Sequence, residues 1–324
     1  METCIDLRIE DTIYNLSNED YHTGYPYREY LSSTSIKDYL ISPKYARFKK
    51  ENPELFEISK EASEKGSLYH SCLESIVNTG STEKFENSVF IFNPPVNEKT
   101  GKPYGYDTKV YQEALWYEQD RNPGKQLVSQ SDLDLVHTMI NELLHYCRQT
   151  SKDIRKLIKW GKAEVSHFIE YEGCKFKYRP DLETDKKIVD WKTVSADDLH
   201  EDTINKIILK FKYDISAAFY QFFEHERTGI WKDFYWVFQQ KQPPYDAVLV
   251  SAENYGYFFD GEIVKMGAGA HKFITLLNQH IYCCQNDDFD GAQVFIQPEF
   301  LKRRIMKPTP PGYETMKLIT YYNE

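Results

Sequence analysis

AEVSHFIEYEGCKFKYRPDLETDKKIVDWKT, residues 163–193, decides how the rest of the chain is read. Val165, His167, Ile169 and Tyr171 alternate with Glu164, Ser166, Phe168 and Glu170, the period-2 mark of a strand with two unlike faces. Residues 174–182 and 188–193 follow as further short strands. Glu172-Gly173 fits a two-residue hairpin loop, and that turn sets Glu164 opposite Asp181. Asp185-Lys186, as the next tight turn, sets Asp181 opposite Asp190. Two independent turns thus line up three carboxylates, and period 2 puts Lys192 on the face of Asp190. Opposed side chains sit about 5 Å apart at Cβ, where like charges repel, so the cluster calls for a cation or a catalytic role. Hard oxygen ligands at this spacing suit Mg²⁺ or Mn²⁺. A lysine beside them can hold a water or steady a phosphoryl oxygen, which is what metal-assisted phosphodiester hydrolysis requires. The same spacing also fits three solvated acids on a half-exposed meander, with Lys192 as an ion-pair partner. Pro180 beside Asp181 can introduce a bulge that shifts the register.

Outward from this segment, helical periodicity dominates. Ser42-Pro43 reads as an N-cap with proline in the first turn. Apolar stripes predict helices over 61–77, 132–148 and 214–228, and a last one over 262–284. Strands are expected at 234–238 and 247–251, around Pro243-Pro244. Residues 93–122 hold Pro94, Pro95, Gly101, Pro103 and Gly105 and read as a long loop insertion. The chain is expected to be one α/β domain over 1–324: a mixed central sheet flanked by helices, with a helical part at about 30–160 and a core at about 161–300. The 324 residues carry 40 Lys and Arg against 50 Asp and Glu, a net charge of -10. That argues against coating nucleic acid by bulk positive charge but leaves a locally basic groove open. Lys152, Arg155, Lys156, Lys159 and Lys162 form either a phosphate-tracking face or a solvated one. No apolar run approaches a membrane span, METCIDLRIEDT has no secretory core, and six scattered cysteines fit a reducing setting. The expectation is a cytoplasmic protein with no membrane partner.

Arg179-Pro180-Asp181, eight residues, then Asp190-Trp191-Lys192-Thr193 resembles the signature of the PD-(D/E)xK nuclease superfamily. Asn18-Glu19-Asp20-Tyr21-His22, Leu31 to Ile36 and Ser42-Pro43 are similar to the N-terminal region of RecE-like (exonuclease VIII-type) phage nucleases, relatives of lambda exonuclease and the RecB nuclease domain. Lys65 to His70 resembles their G-x-x-x-H helix, Tyr213 to Tyr220 their Y-x-x-Q-A-A-x-Y helix, and Lys241 to Tyr245 their K-x-P-P-Y turn. These blocks keep family order over roughly 14–300.

The resemblance implies a restriction-endonuclease-like core in which Asp181 and Asp190 are the principal metal ligands. The Trp191 carbonyl and Glu164 join them, Lys192 is the catalytic lysine, and His70 lies near the metal or the terminal nucleotide. Tyr220, and with it Tyr213, approaches DNA. Lys241 is a candidate phosphate contact, and Lys177 and Arg179, alternating on the strand that leads to Asp181, a positive approach to the site. The implied activity is Mg²⁺- or Mn²⁺-dependent exonuclease digestion of duplex DNA ends, 5′ to 3′, in phage-type recombination. A ring-shaped homo-oligomer and a single-strand annealing protein are the implied partners. Ser216 departs from the family pattern, standing where a glutamine is usual, and this keeps two alternatives open: a DNA-binding recombination scaffold that cleaves little, and a structure-specific endonuclease. Cys283 and Cys284 are adjacent and nothing after them is a cysteine, so the four-thiolate iron–sulfur pattern of some relatives is not expected.

Overall fold

A computed structural model describes residues 11–56, 60–149, 152–260 and 263–289. In chain order the first elements are β1 (Thr12–Ile13), α1 (Asn18–Thr23), α2 (Pro43–Glu51), α3 (Lys60–Thr79) and α4 (Glu83–Ser88). β2 (Val89–Ile91), α5 (Lys109–Arg121), β3 (Gln126–Val128), α6 (Gln130–Gln149) and α7 (Lys152–Trp160) follow. Next come β4 (Ser166–Tyr171), β5 (Cys174–Tyr178), β6 (Leu182–Glu183), β7 (Lys187–Val194), α8 (Glu201–Phe211) and α9 (Tyr213–Thr228). The last are β8 (Asp233–Gln240), β9 (Ala247–Ser251), β10 (Tyr257–Asp260), β11 (Ile263–Met266) and α10 (Ala268–Asn286).

β6, β7, β8 and β9 form a mixed sheet in which β7 runs parallel to β8 and antiparallel to β6. β1, β4 and β5 form a separate antiparallel sheet. The four-stranded sheet is covered on both faces, as a sheet with a parallel centre must be. Val189, Trp191 and Val237 pack with Leu73, Met139, Ile140 and Leu157 of α3, α6 and α7. Ile188, Phe234, Trp236 and Phe238 pack with Ile204 and Ile208 of α8 and Ala217 of α9. A third core joins β5 to α9 and α10 through Phe176, Phe219, Phe223 and Phe273. This is the mixed α/β architecture, a mixed sheet flanked by helices, expected from the sequence. Among the described residues, no helix is long and apolar enough to cross a membrane.

Local chemistry explains the elements. The Ser42 hydroxyl accepts the Tyr45 N–H at 3.0 Å with Pro43 in the first turn of α2, as the sequence predicts. Glu172 and Gly173 both take positive φ, 51° and 75°, the turn that matches strand twist. Two expectations need correction. The segment 93–122 is not all loop, because α5 occupies Lys109–Arg121 with the Thr108 hydroxyl as its cap. The last helix begins at Ala268, and Ile263–Met266 pairs with β10 as a hairpin instead.

Gly269 shows how tightly α10 meets α9: a Cβ there would lie 2.4 Å from the Asp214 carbonyl oxygen. Gly66 is the opposite case, with nothing within 4 Å of the corresponding position. Gly269→Ala is therefore expected to destabilise by about 1–3 kcal/mol. Gly66→Ala is expected to stabilise by about 0.5–1 kcal/mol, the helix-propensity gain alone. Parallel urea melts read the contrast.

Candidate active site

Both predicted hairpin registers hold, but the acids do not meet inside a ladder. The β4–β5 ladder ends at His167–Tyr178 and the β6–β7 pairing begins at Leu182–Val189. Arg179-Pro180-Asp181 crosses from one sheet to the other between those ends. Glu164 lies just before β4 with φ 55°, and Lys162 bridges to Glu183 through two 2.8 Å backbone hydrogen bonds. The carboxylates consequently converge in the gap where the two sheets part, the place where Pro180 interrupts pairing.

Asp181 is the centre of this cluster. One of its carboxylate oxygens lies 3.2 Å from His70 Nδ1, and the other accepts the Trp191 N–H at 2.5 Å. Donor atoms of His70, Glu164 and Asp181 all fall within 4.8 Å of one another, and the Asp190 carboxyl is within hydrogen-bonding reach of Asp181. Lys192 Nζ donates to Asp190 Oδ1 at 2.7 Å. A strand residue sends its N–H and C=O to the same edge, so the Trp191 carbonyl also faces the Asp181 side, beyond the end of β6. His70 comes from α3, one turn after Gly66, whose open side adjoins the cleft.

The cleft has a volume of ≈ 650 Å³, and its walls include His70, Glu164, Asp181, Trp191 and Lys192. Arg179, Tyr213, Tyr220 and Lys241 also line it, so most predicted nucleic-acid contacts gather at one opening. The Tyr220 hydroxyl donates to the Arg179 carbonyl at 3.3 Å, and Lys192 stands 5.2 Å from the Tyr213 ring centroid. Lys177 does not join them. Its ammonium donates to the carbonyls of Tyr21 and Tyr27, and the residue is only 4% exposed. The strand alternation that placed it on the Arg179 face gave no sign that the N-terminal segment covers that face. Lys177 fastens this segment and makes no approach to DNA.

Burial pushes the Glu164 carboxyl up to about 8, with the nearby Asp181 charge adding to the rise. Burial likewise lifts Asp190 to about 6, against the pull of Lys192. Burial opposes ionisation of Asp181 too, but there the His70 imidazole overrides it and holds the carboxyl well below the usual range. Burial also opposes charge on His70, and Asp181 outweighs it, so the imidazole pKa is raised. For Lys192 burial loses to Asp190 and Asp181, and its ammonium stays charged well past neutral pH.

Protons held on Glu164 and Asp190 mean that the local cations leave the acids' charge incompletely balanced. Three carboxylates, a backbone carbonyl and an imidazole form an oxygen-rich donor set that fits a hard divalent cation. A cation entering the site must displace those protons, so its affinity is expected to rise as pH climbs from about 6 to 8. Calorimetric titration in buffers of different ionisation enthalpy checks this through proton release. A pH-independent affinity would overturn it.

Residues to which the sequence assigned no individual role complete the walls. Tyr21 lies under the Arg179 guanidinium at 3.9 Å, Ser33 hydrogen-bonds Tyr220, and Glu74 and Lys84 face the opening, paired at 3.2 Å. No local signal marks Tyr21, because its partner is far away in sequence.

A family model described as a PDDEXK-like domain of unknown function (DUF3799) matches residues 32–285. Among solved structures, a crystal structure from Eubacterium rectale described as a "Putative exonuclease" aligns over 92% of this chain and 97% of that one, with a TM-score of 0.49 and 17% identity. No curated protein matches the chain.

Proposed function

The chain belongs to the PDDEXK-like domain family DUF3799, and from that premise we propose that it is a divalent-metal-dependent exodeoxyribonuclease acting on duplex DNA ends. The observation that carries this reading is the convergence of Glu164, Asp181 and Lys192 with His70 in one cleft, with the buried Asp190 hydrogen-bonded to Lys192. Asp181, Asp190, Glu164 and the Trp191 carbonyl are the ligands proposed for Mg²⁺ or Mn²⁺, with His70 beside them. The cation, when bound, supplies charge to phosphoryl oxygens and lowers the pKa of a water.

The chain's own residues supply the rest. Lys192 is charged at neutral pH, so it acts as a hydrogen-bond donor and point charge that places a water or a phosphoryl oxygen; it is not a base. Asp190 aims the ammonium. His70, whose Nδ1 faces Asp181, has its other ring nitrogen to offer a non-bridging phosphate oxygen. Arg179, Lys241 and Tyr220 line the path of the strand and favour its backbone electrostatically. Locating these cations inside a cleft reconciles DNA as substrate with a net charge of -10. Digestion 5′ to 3′, a ring-shaped assembly around the duplex and cooperation with an annealing protein extend the proposal on the strength of the RecE-like blocks.

Ser216 favours a second reading. It is buried one turn before Tyr220, where the family's glutamine is absent, as in a scaffold that holds DNA and cleaves little. An end-labelled linear duplex with Mg²⁺ separates the readings. Progressive release of mononucleotides is expected, whereas a mobility shift without cleavage supports the scaffold and internal cuts an endonuclease. Absence of any DNA binding or cleavage overturns all three.

A further inference from the structure

We propose that Cys174, His280 and Cys284 bind one thiophilic divalent cation of the zinc type, at a site separate from the carboxylate cluster. Their donor atoms all lie within 4.8 Å of one another. His280 and Cys284 stand four apart on α10 and so share one helix face; Cys174 opens β5. Cys284 Sγ is 3.6 Å from His280 Nε2 and 3.7 Å from Nδ1, and the Cys174 and Cys284 thiols hydrogen-bond each other. A tetrahedral ion with S at about 2.3 Å and N at about 2.0–2.1 Å separates two such donors by about 3.6 Å.

The site is built in two further respects. His280 Nδ1 is 2.7 Å from the Tyr39 hydroxyl, so its other nitrogen is left to ligate. An outer partner of this kind fixes the ring and tautomer of a ligating histidine. Cys174 and His280 are buried while Cys284 is exposed, which gives the ion an entry path and leaves a fourth corner for water. Two thiolates balance the charge of the ion, and their protons go to solvent as it binds.

A second buried cluster shows what a filled site looks like. His167, Glu183 and Glu224 also converge, but Lys232 Nζ already lies 2.8 Å from Glu224 and 3.3 Å from Glu183. The ammonium that acts on Cys284, that of Lys50, is instead paired with Glu29 at 3.7 Å. The thiol site would tie the start of β5 to α10, roughly 20 Å along the strand from Asp181.

The test is Co²⁺ titration of the full chain, reduced and stripped with a chelator. One equivalent is expected to give an intense thiolate-to-cobalt charge-transfer band that Zn²⁺ abolishes by displacement. Cys284→Ser, at an exposed position, is expected to remove the band or weaken binding by about 100-fold or more. Tyr39→Phe is expected to weaken it by about 10–100-fold, and Asp181→Asn to leave it intact. Zn²⁺ should also protect Cys284 from alkylation and, in the Asp181→Asn background that removes the carboxylate site, raise Tm only while Cys284 is present. The proposal is overturned if the reduced chain gives no charge-transfer band, if the band survives undiminished in Cys284→Ser, or if Cys174 and Cys284 are recovered only as a disulfide that binds no ion after reduction.

Discussion

Asp181→Asn is expected to lower DNA cleavage by on the order of 10³-fold or more, beyond the loss from deleting one transition-state hydrogen bond. The reason is its place in the cluster. Asp181 joins His70, the Trp191 N–H, Glu164 and Asp190, so neutralising it removes the charge around which the other ligands gather. Mg²⁺ should then no longer raise Tm, because a ligand stabilises only the state that binds it. Glu164→Gln is the informative companion. With its carboxyl pushed up to about 8 by burial and Asp181, Glu164 is largely protonated at neutral pH without a cation. Glutamine should therefore leave Tm without metal unchanged or higher, while the Mg²⁺ concentration needed for cleavage rises. Normal cleavage by Asp181→Asn would put the active site elsewhere.

Lys232→Met is expected to destabilise the fold by about 3–5 kcal/mol, the range for removing one partner from a buried ion pair. Lys232 stands between Glu224 and Glu183. His167 lies 3.0 Å from Glu183 and Arg227 2.7 Å from Glu224, and the Tyr178 hydroxyl donates to Glu224 as well. Methionine keeps the volume but leaves two buried carboxylates short of positive charge. Burial works against ionising both acids, but Lys232, His167, Arg227 and Tyr178 override it and hold both carboxyls below the ordinary glutamate range. A lowered folded-state pKa gives stability that is present above the unfolded value and fades as pH falls through the folded one. The parent is thus expected to lose stability below about pH 4.5, and Lys232→Met to show a shallower acid limb. Denaturant midpoints at pH 7, 5 and 3.5 measure both. An unchanged midpoint at pH 7 would mean the network is not closed as described.

The site was legible because hairpin arithmetic needs only turn chemistry. Glu172-Gly173 and Asp185-Lys186 set two registers, and those registers carry the acids to the same end of their strands. The break at Arg179-Pro180-Asp181 was visible only as a proline able to introduce a bulge, since nothing local says which sheet the next strand joins. α5 was masked by the prolines and glycines at 94–105 just ahead of it, and by a thin apolar stripe: Leu115 is its buried residue while Trp116 and Tyr117 are exposed. Ile263, Val264 and Met266 resembled the start of a helix because apolar spacing over four residues does not separate strand from helix. α8 carried a fair signal in the i, i+4 pair Ile204 and Ile208, which the strand-rich neighbourhood obscured. Lys177 was misread because alternation assigns a face and is silent about what covers it.

The crossing at Asp181 has a thermodynamic corollary. The proposed ligands for one ion flank two ladders joined by the Lys162–Glu183 backbone bridge, so their spacing would vary with how those ladders pivot about that bridge. A duplex bound between the same walls, as proposed, would act on that one coordinate. Ion and nucleic acid are then linked ligands, and whatever factor the first adds to the affinity of the second, the second must return to the first.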